Sequence, residues 1–147
     1  FIRCFTPGFI FTTSIMPSIA AAATKSIEIV EKSDELRKDI FLKANYLRLK
    51  LKKLDIPFIN SNSHIVPLLV YETEKAKIYS NTLLKVYNCY VQPIFYPTVP
   101  KKSARLRVTI TPKHSLVDID NLVSALKDIW GKTEKNSTSR KQSAFAV

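Results

Sequence analysis

Two arginines at alternate positions, preceded by a proline-framed turn, are the side chains best placed to do chemistry in this sequence. From Tyr90 to His114 the chain reads YVQPIFYPTVPKKSARLRVTITPKH. Leu106, Val108 and Ile110 alternate with Arg105, Arg107, Thr109 and Thr111, the period-two pattern of a strand with one buried face. Val91 and Ile94 predict a strand before it, and Pro97 and Pro100 mark the turn between the two. A guanidinium fixed on a strand offers a rigid fork of donors to a carboxylate. A solvated edge strand whose arginines pair with surface acids has the same spacing, so the pattern alone leaves both readings open.

A second group is Thr12, Thr13 and Ser14, which follow the apolar run Phe9, Ile10, Phe11 and precede an alanine-rich helical stretch. Hydroxyls between a strand end and a helix start suit an anion, because backbone N–H groups are free there. The plainer role is to cap the helix, and both remain possible on the residues alone. Cys4 and Cys89 fit neither a disulfide framework nor a zinc site, and buried reduced thiols are the simpler reading. His64, entering a strand, and His114, before a helix, read as hydrogen-bonded structural residues.

The motifs themselves carry a resemblance. G-F-I-F-T-T-S at Gly8 to Ser14, S-H-I-V-P at Ser63 to Pro67, Y-V-Q-P-I at Tyr90 to Ile94, Y-P-T-V-P and R-L-R occur in the order seen in the α-oxoamine synthase family. That family consists of fold-type I pyridoxal-phosphate enzymes that join an amino acid to an acyl-CoA. The chain resembles it from about Phe5 to Trp130, and it is most similar to members that condense glycine with succinyl-CoA. Glycine C-acetyltransferase and 8-amino-7-oxononanoate synthase share P-T-V-P and R-L-R, and I-T-P-K-H departs from the T-P-T-P usual in the favoured branch. The resemblance implies that Thr12 and Thr13 contact the phosphate of pyridoxal 5'-phosphate. It also implies that Thr98 belongs to the acyl-substrate site and that Arg107 holds a substrate carboxylate, with Arg105 in support. Where most members carry Pro-Pro after the threonines, Ile15, Met16 and Pro17 stand here, so the first proline is lost. The family's cofactor-holding lysine precedes G-F-I-F-T-T, and no lysine here matches it. The resemblance therefore implies no catalytic residue in this chain and no activity from it alone. It further implies glycine and succinyl-CoA as substrates, a homodimer, and a mitochondrial matrix location if the source is eukaryotic or a cytoplasmic one otherwise.

The elements that must position these residues follow from periodicity. Ser18 to Lys32 is helical, with Ile19, Ala22, Ala23, Ile27 and Val30 as an apolar stripe. Ser33 to Asp55 is a second helix, with Leu36, Ile40, Ala44, Leu47, Leu51 and Leu54 inward and its lysines toward water. Ile56-Pro57 ends it, a strand runs from Ser63 to Val70, and Glu72 to Asn88 is a third helix. Ser115 and Asp118 have capping-box spacing at the start of a fourth, which ends near Gly131. The expected fold class is α+β, a small sheet covered by helices, the small domain of a transferase that is α/β as a whole. By the resemblance, residues 1–17 close the large cofactor domain, 18–32 form a connecting helix and 33–131 the small domain. Residues 132–147 lack periodicity and read as a disordered tail.

Composition bounds the rest. The 147 residues contain only two glycines and begin with Phe1, which points to a piece of a longer protein. The net charge of +11 invites a nucleic-acid partner, yet the basic residues are spread out. The densest run, Arg48 to Lys53, lies on a helix, where it reads as a solvated face, so no nucleic acid is expected. No run is long and apolar enough to predict an integral membrane segment.

Overall fold

The structure, a computed structural model, describes the backbone of residues 1–143 other than Thr13, and the side chains of those residues apart from Arg3 and positions 132–143. The described elements are α1 (Ile2–Phe5), α2 (Pro7–Ile10), α3 (Pro17–Glu31), α4 (Asp34–Lys53), β1 (Ile65–Tyr71), α5 (Thr73–Tyr87), β2 (Gln92–Ile94), β3 (Ala104–Thr109) and α6 (Leu116–Ser143). They divide into two compact units, Phe1–Glu35 and Leu36–Val147.

The first unit corrects the expected strand. Phe9 and Ile10 belong to the helical turn α2, with Pro7 at its first position, and Phe11 follows it 86% exposed. The described residues of this unit include no strand. Its backbone groups bond locally instead, Ile10 N–H to the Thr6 carbonyl and Phe11 N–H to that of Pro7. The helix expected over 18–32 is α3, but it buries none of its stripe within the unit.

The second unit is built on an antiparallel sheet in the order β1-β3-β2. Along β1 and β3 burial alternates, so Val66, Leu68 and Val70 share one face with Leu106 and Val108. Ala44, Leu47 and Leu51 of α4, Ala76, Tyr79 and Leu83 of α5, and Ile119, Ala125, Leu126 and Ile129 of α6 complete that core. Phe58 bridges to Leu68, and Ile59 N–H donates to the Pro67 carbonyl, so the segment after α4 runs along the outer edge of β1. The opposite face of the sheet is left without this cover.

Local chemistry explains the ends of these elements. Asp55 and Asn88 take left-handed φ values of 52° after α4 and α5, and the N–H groups of Ile56 and Cys89 return to the Leu51 and Leu83 carbonyls. The capping box forms as the spacing predicts. Ser115 N–H donates to Asp118 Oδ2 at 2.8 Å, and Asp118 N–H donates to Ser115 Oγ at 3.1 Å. Helix α6 passes Gly131 and continues to Ser143, beyond its expected end. Glycine weakens a helix by about 1 kcal/mol without blocking its hydrogen bonds, and the residues after it contain no proline. Residues 144–147, the end of the expected tail, lie outside the described residues.

Candidate functional site

The two arginines do not stand on an edge. β3 is the middle strand, paired on both sides, which removes the edge-strand alternative. Arg107 is opposite Pro67 of β1 and Gln92 of β2, and Arg105 is opposite Leu69 and Ile94. In-register residues of neighbouring strands share a face, so Pro67, Arg107 and Gln92 form one row on the uncovered side. The Arg107 side chain is exposed and makes no hydrogen bond or ion pair with a described residue. Arg105 is half-buried, and its Nε–H donates to the Ser103 carbonyl at 3.1 Å. Gln92 in the same row is a residue the sequence reading passes over. Its Oε1 accepts from the Tyr90 hydroxyl and its Nε2 donates to the Pro93 carbonyl. Only the strand register, which periodicity does not give, brings it beside Arg107.

Thr98 sits in the turn joining β2 to β3, exposed, with its N–H donating to the Phe95 carbonyl at 3.0 Å. The Tyr96–Pro97 peptide just before it is cis. Lys77 lies 5.4 Å from the Phe95 ring centroid and Lys101 5.5 Å from that of Tyr96, leaving a basic, aromatic rim around the turn. Thr98 and Arg107 are thus held by one hairpin. Its strand pairing reaches Ile94 and Arg105, two residues from Arg107.

Thr12 lies in the first unit, exposed, and Thr13 lies outside the described residues. The N-cap of α3 is Met16 and no side chain caps that helix. The capping role open to Thr12 in the sequence is therefore not the one it plays. Its hydroxyl makes no hydrogen bond with a described residue. Hydroxyls and the N–H groups at a helix start are the kinds of donor that a phosphate accepts from.

His114 is hydrogen-bonded through its ring, and His64 through its main chain. His114 Nδ1 accepts from Thr111 N–H at 3.1 Å, and the His64 carbonyl accepts from Ile110 N–H. His114, Cys89 and Asp118 line an open cleft of about 550 Å³ between the end of α5 and the start of α6. The Ser115 N–H and hydroxyl hold the Asp118 carboxyl below its ordinary range, with a smaller contribution from His114. Burial, and then the Asp118 charge, push the Cys89 thiol up, so it is no activated nucleophile. Among the described residues no three His, Cys, Asp or Glu side chains gather as a metal site, and no helix is long and apolar enough to cross a membrane.

Sheet, helices and hairpin match a known class. The chain belongs to the aminotransferase class I and II family, which matches residues 2–126. Among particular relatives, it is 48% identical over 132 residues to the 5-aminolevulinate synthase of Rhizobium meliloti, covering 90% of this chain and 33% of that protein. It is 44% identical over 129 residues to the mitochondrial 5-aminolevulinate synthase of Emericella nidulans, covering 88% of this chain and 20% of that one. In structure it is similar to the serine palmitoyltransferase of S. paucimobilis solved with bound PLP, at a TM-score of 0.80 and 26% identity over 87% of this chain and 32% of that chain. The 8-amino-7-oxononanoate synthase of Francisella tularensis, 19% identical at a TM-score of 0.75, shares the fold. The chain spans about a third of the length of the bacterial relatives it matches. The α+β architecture is that of the small domain of fold-type I transferases.

Proposed function

We propose that this chain supplies the small-domain part of a pyridoxal-phosphate-dependent synthase that condenses glycine with succinyl-CoA, releasing 5-aminolevulinate, CoA and carbon dioxide. One observation carries the reading. Arg107 presents a guanidinium without a protein partner on the uncovered sheet face, in a chain 48% identical to a 5-aminolevulinate synthase. Its fork takes a substrate carboxylate. The Thr98 hydroxyl, on the same hairpin, donates to or accepts from the acyl substrate. Thr12 and Thr13 hold the phosphate of the cofactor, and the free hydroxyl of Thr12 supports that role. Bound pyridoxal phosphate would supply the electron sink for chemistry at the amino acid's α-carbon. The working protein is a homodimer, in the mitochondrial matrix if eukaryotic and in the cytoplasm otherwise.

Substrate choice separates this reading from its neighbours. The full-length protein carrying this segment is assayed with glycine and succinyl-CoA, with glycine and acetyl-CoA, and with alanine and pimeloyl-CoA. Turnover of the first pair above the other two is expected. Preference for acetyl-CoA would move the chain to glycine C-acetyltransferase, and preference for alanine with pimeloyl-CoA to 8-amino-7-oxononanoate synthase. The 147 residues alone are expected neither to hold the cofactor covalently nor to turn over glycine. Borohydride reduction with pyridoxal phosphate followed by peptide mapping checks this, and a saturable adduct on one lysine would refute it.

A further inference from the structure

Arg48 of α4 is a buried cation that the mechanism does not use. The sequence places it on a solvated face, yet it is only 8% exposed. Its Nη1 donates to Asn45 Oδ1 at 2.9 Å, and its Nη2 donates to the Ser63 carbonyl and, at 3.5 Å, approaches Ser61 Oγ. These acceptors are all neutral. Its Nε–H is buried without a partner, and neither Arg48 nor Lys52 makes an ion pair with a described residue. A desolvated guanidinium facing only neutral groups is costly, and a bound anion offsets that cost. Burial accordingly pulls its pKa below the usual arginine range.

The surroundings are built for such an anion. Asn45, Arg48, Leu49 and Lys52 repeat at helical spacing along one stripe of α4, and with Phe58 and Asn60 they line an open cleft of about 490 Å³. Two cations and two amides line it, and no carboxylate does. The acceptor oxygen of Asn45 is engaged by Arg48, which leaves that amide its N–H donors. Leu49 and Phe58 add an apolar wall that suits the organic part of a phosphomonoester. We propose that this cleft binds a phosphate-type dianion, held between Arg48 and Lys52 with the amides of Asn45 and Asn60 as neutral donors.

Inorganic phosphate, titrated into the 147-residue chain at constant ionic strength, is followed through the arginine Nε–Hε signals in a nitrogen-15 spectrum. A saturable shift of the Arg48 signal is expected. Lys52→Gln removes an exposed charge outside the core, so it keeps the amide spectrum and weakens phosphate about tenfold, the worth of one charge-assisted hydrogen bond. Asn60→Asp sets a carboxylate in the cleft and should abolish the saturable shift. Coenzyme A and its 3'-dephospho form distinguish the sources: tighter binding of the former than of either phosphate or the dephospho form assigns a nucleotide phosphomonoester, and equal binding of coenzyme A and phosphate assigns the free ion. No saturable shift, or unchanged phosphate affinity in both variants, overturns the proposal. None of these readouts depends on catalysis, so the result is independent of the activity proposed above.

Discussion

Arg107 is available to a ligand because of what its neighbours lack. Pro67 and Gln92 flank it on the two adjacent strands, and neither can neutralise it. Lysine keeps the charge but loses the planar fork, so Arg107→Lys should lower kcat/KM for glycine about ten- to a hundredfold in the full-length enzyme, equivalent to roughly 1.5–3 kcal/mol. An exposed residue without a described partner contributes little to folding, so the melting temperature should stay near that of the wild type. Wild-type kinetics for both substrates would sink the assignment. Gln92→Glu probes the same row from the other strand. It creates an acid beside the arginine, an internal competitor for any substrate carboxylate. The expected result is a raised KM together with unchanged or slightly raised stability, up to about 1 kcal/mol for a cross-strand ion pair. Loss of stability with normal KM would show that the two side chains do not share a site.

The helices and strands were legible where their pattern is local. The three- and four-residue steps of α4 from Ala44 to Leu51, the alternation of β3 and the Ser115–Asp118 box reappear in the structure, whereas Leu36, expected on the inward stripe, is 49% exposed. The box also makes a testable pH dependence. The Asp118 pKa is lowered in the folded state, first by the Ser115 N–H, then by its hydroxyl, then by the His114 charge. A carboxyl with a depressed folded pKa stabilises above its unfolded value and loses that contribution as pH falls through the folded one. Thermal midpoints should therefore show Asp118→Asn less stable than wild type at neutral pH, with the gap closing below about pH 4. A gap independent of pH would mean that the charge is not the source. Asp120, lowered first by Lys50 and then by Tyr46, keeps its own acid sensitivity in that variant. What the sequence hid was nonlocal. Phe9 to Phe11 read as a strand because their residue types favour one, but a strand needs a ladder partner, and the described residues of that unit include no strand. Arg48 read as a surface charge because its acceptor, the Ser63 carbonyl, is fifteen residues away. Gln92 drew no notice because its place beside Arg107 exists only in the sheet register.

On the scale of the whole molecule, the first unit leaves its large apolar side chains on the surface. Phe1, Ile2, Phe5, Phe9, Ile10, Phe11, Ile15 and Met16 are each more than half exposed, an apolar surface well suited to an interface. Thr12 stands in this stretch with a free hydroxyl and does not cap α3. If a homodimer covers the segment, its hydroxyls can reach the cofactor phosphate bound by the neighbouring subunit. Complementation distinguishes that arrangement from one in which each subunit serves its own cofactor. One full-length subunit lacks the cofactor lysine, and the other carries Thr12→Ala with Thr13→Ala; each homodimer is weak or inactive. With threonines acting across the interface, one site of the heterodimer collects both defects and the other is intact, so mixing under conditions that exchange subunits restores activity. With threonines acting within their own subunit, every site keeps one defect and mixing restores nothing. Restored turnover of glycine and succinyl-CoA is the expected outcome, with the heterodimer fraction measured by mass spectrometry to show that exchange took place. Exchange without recovery would return the threonines to their own subunit's site.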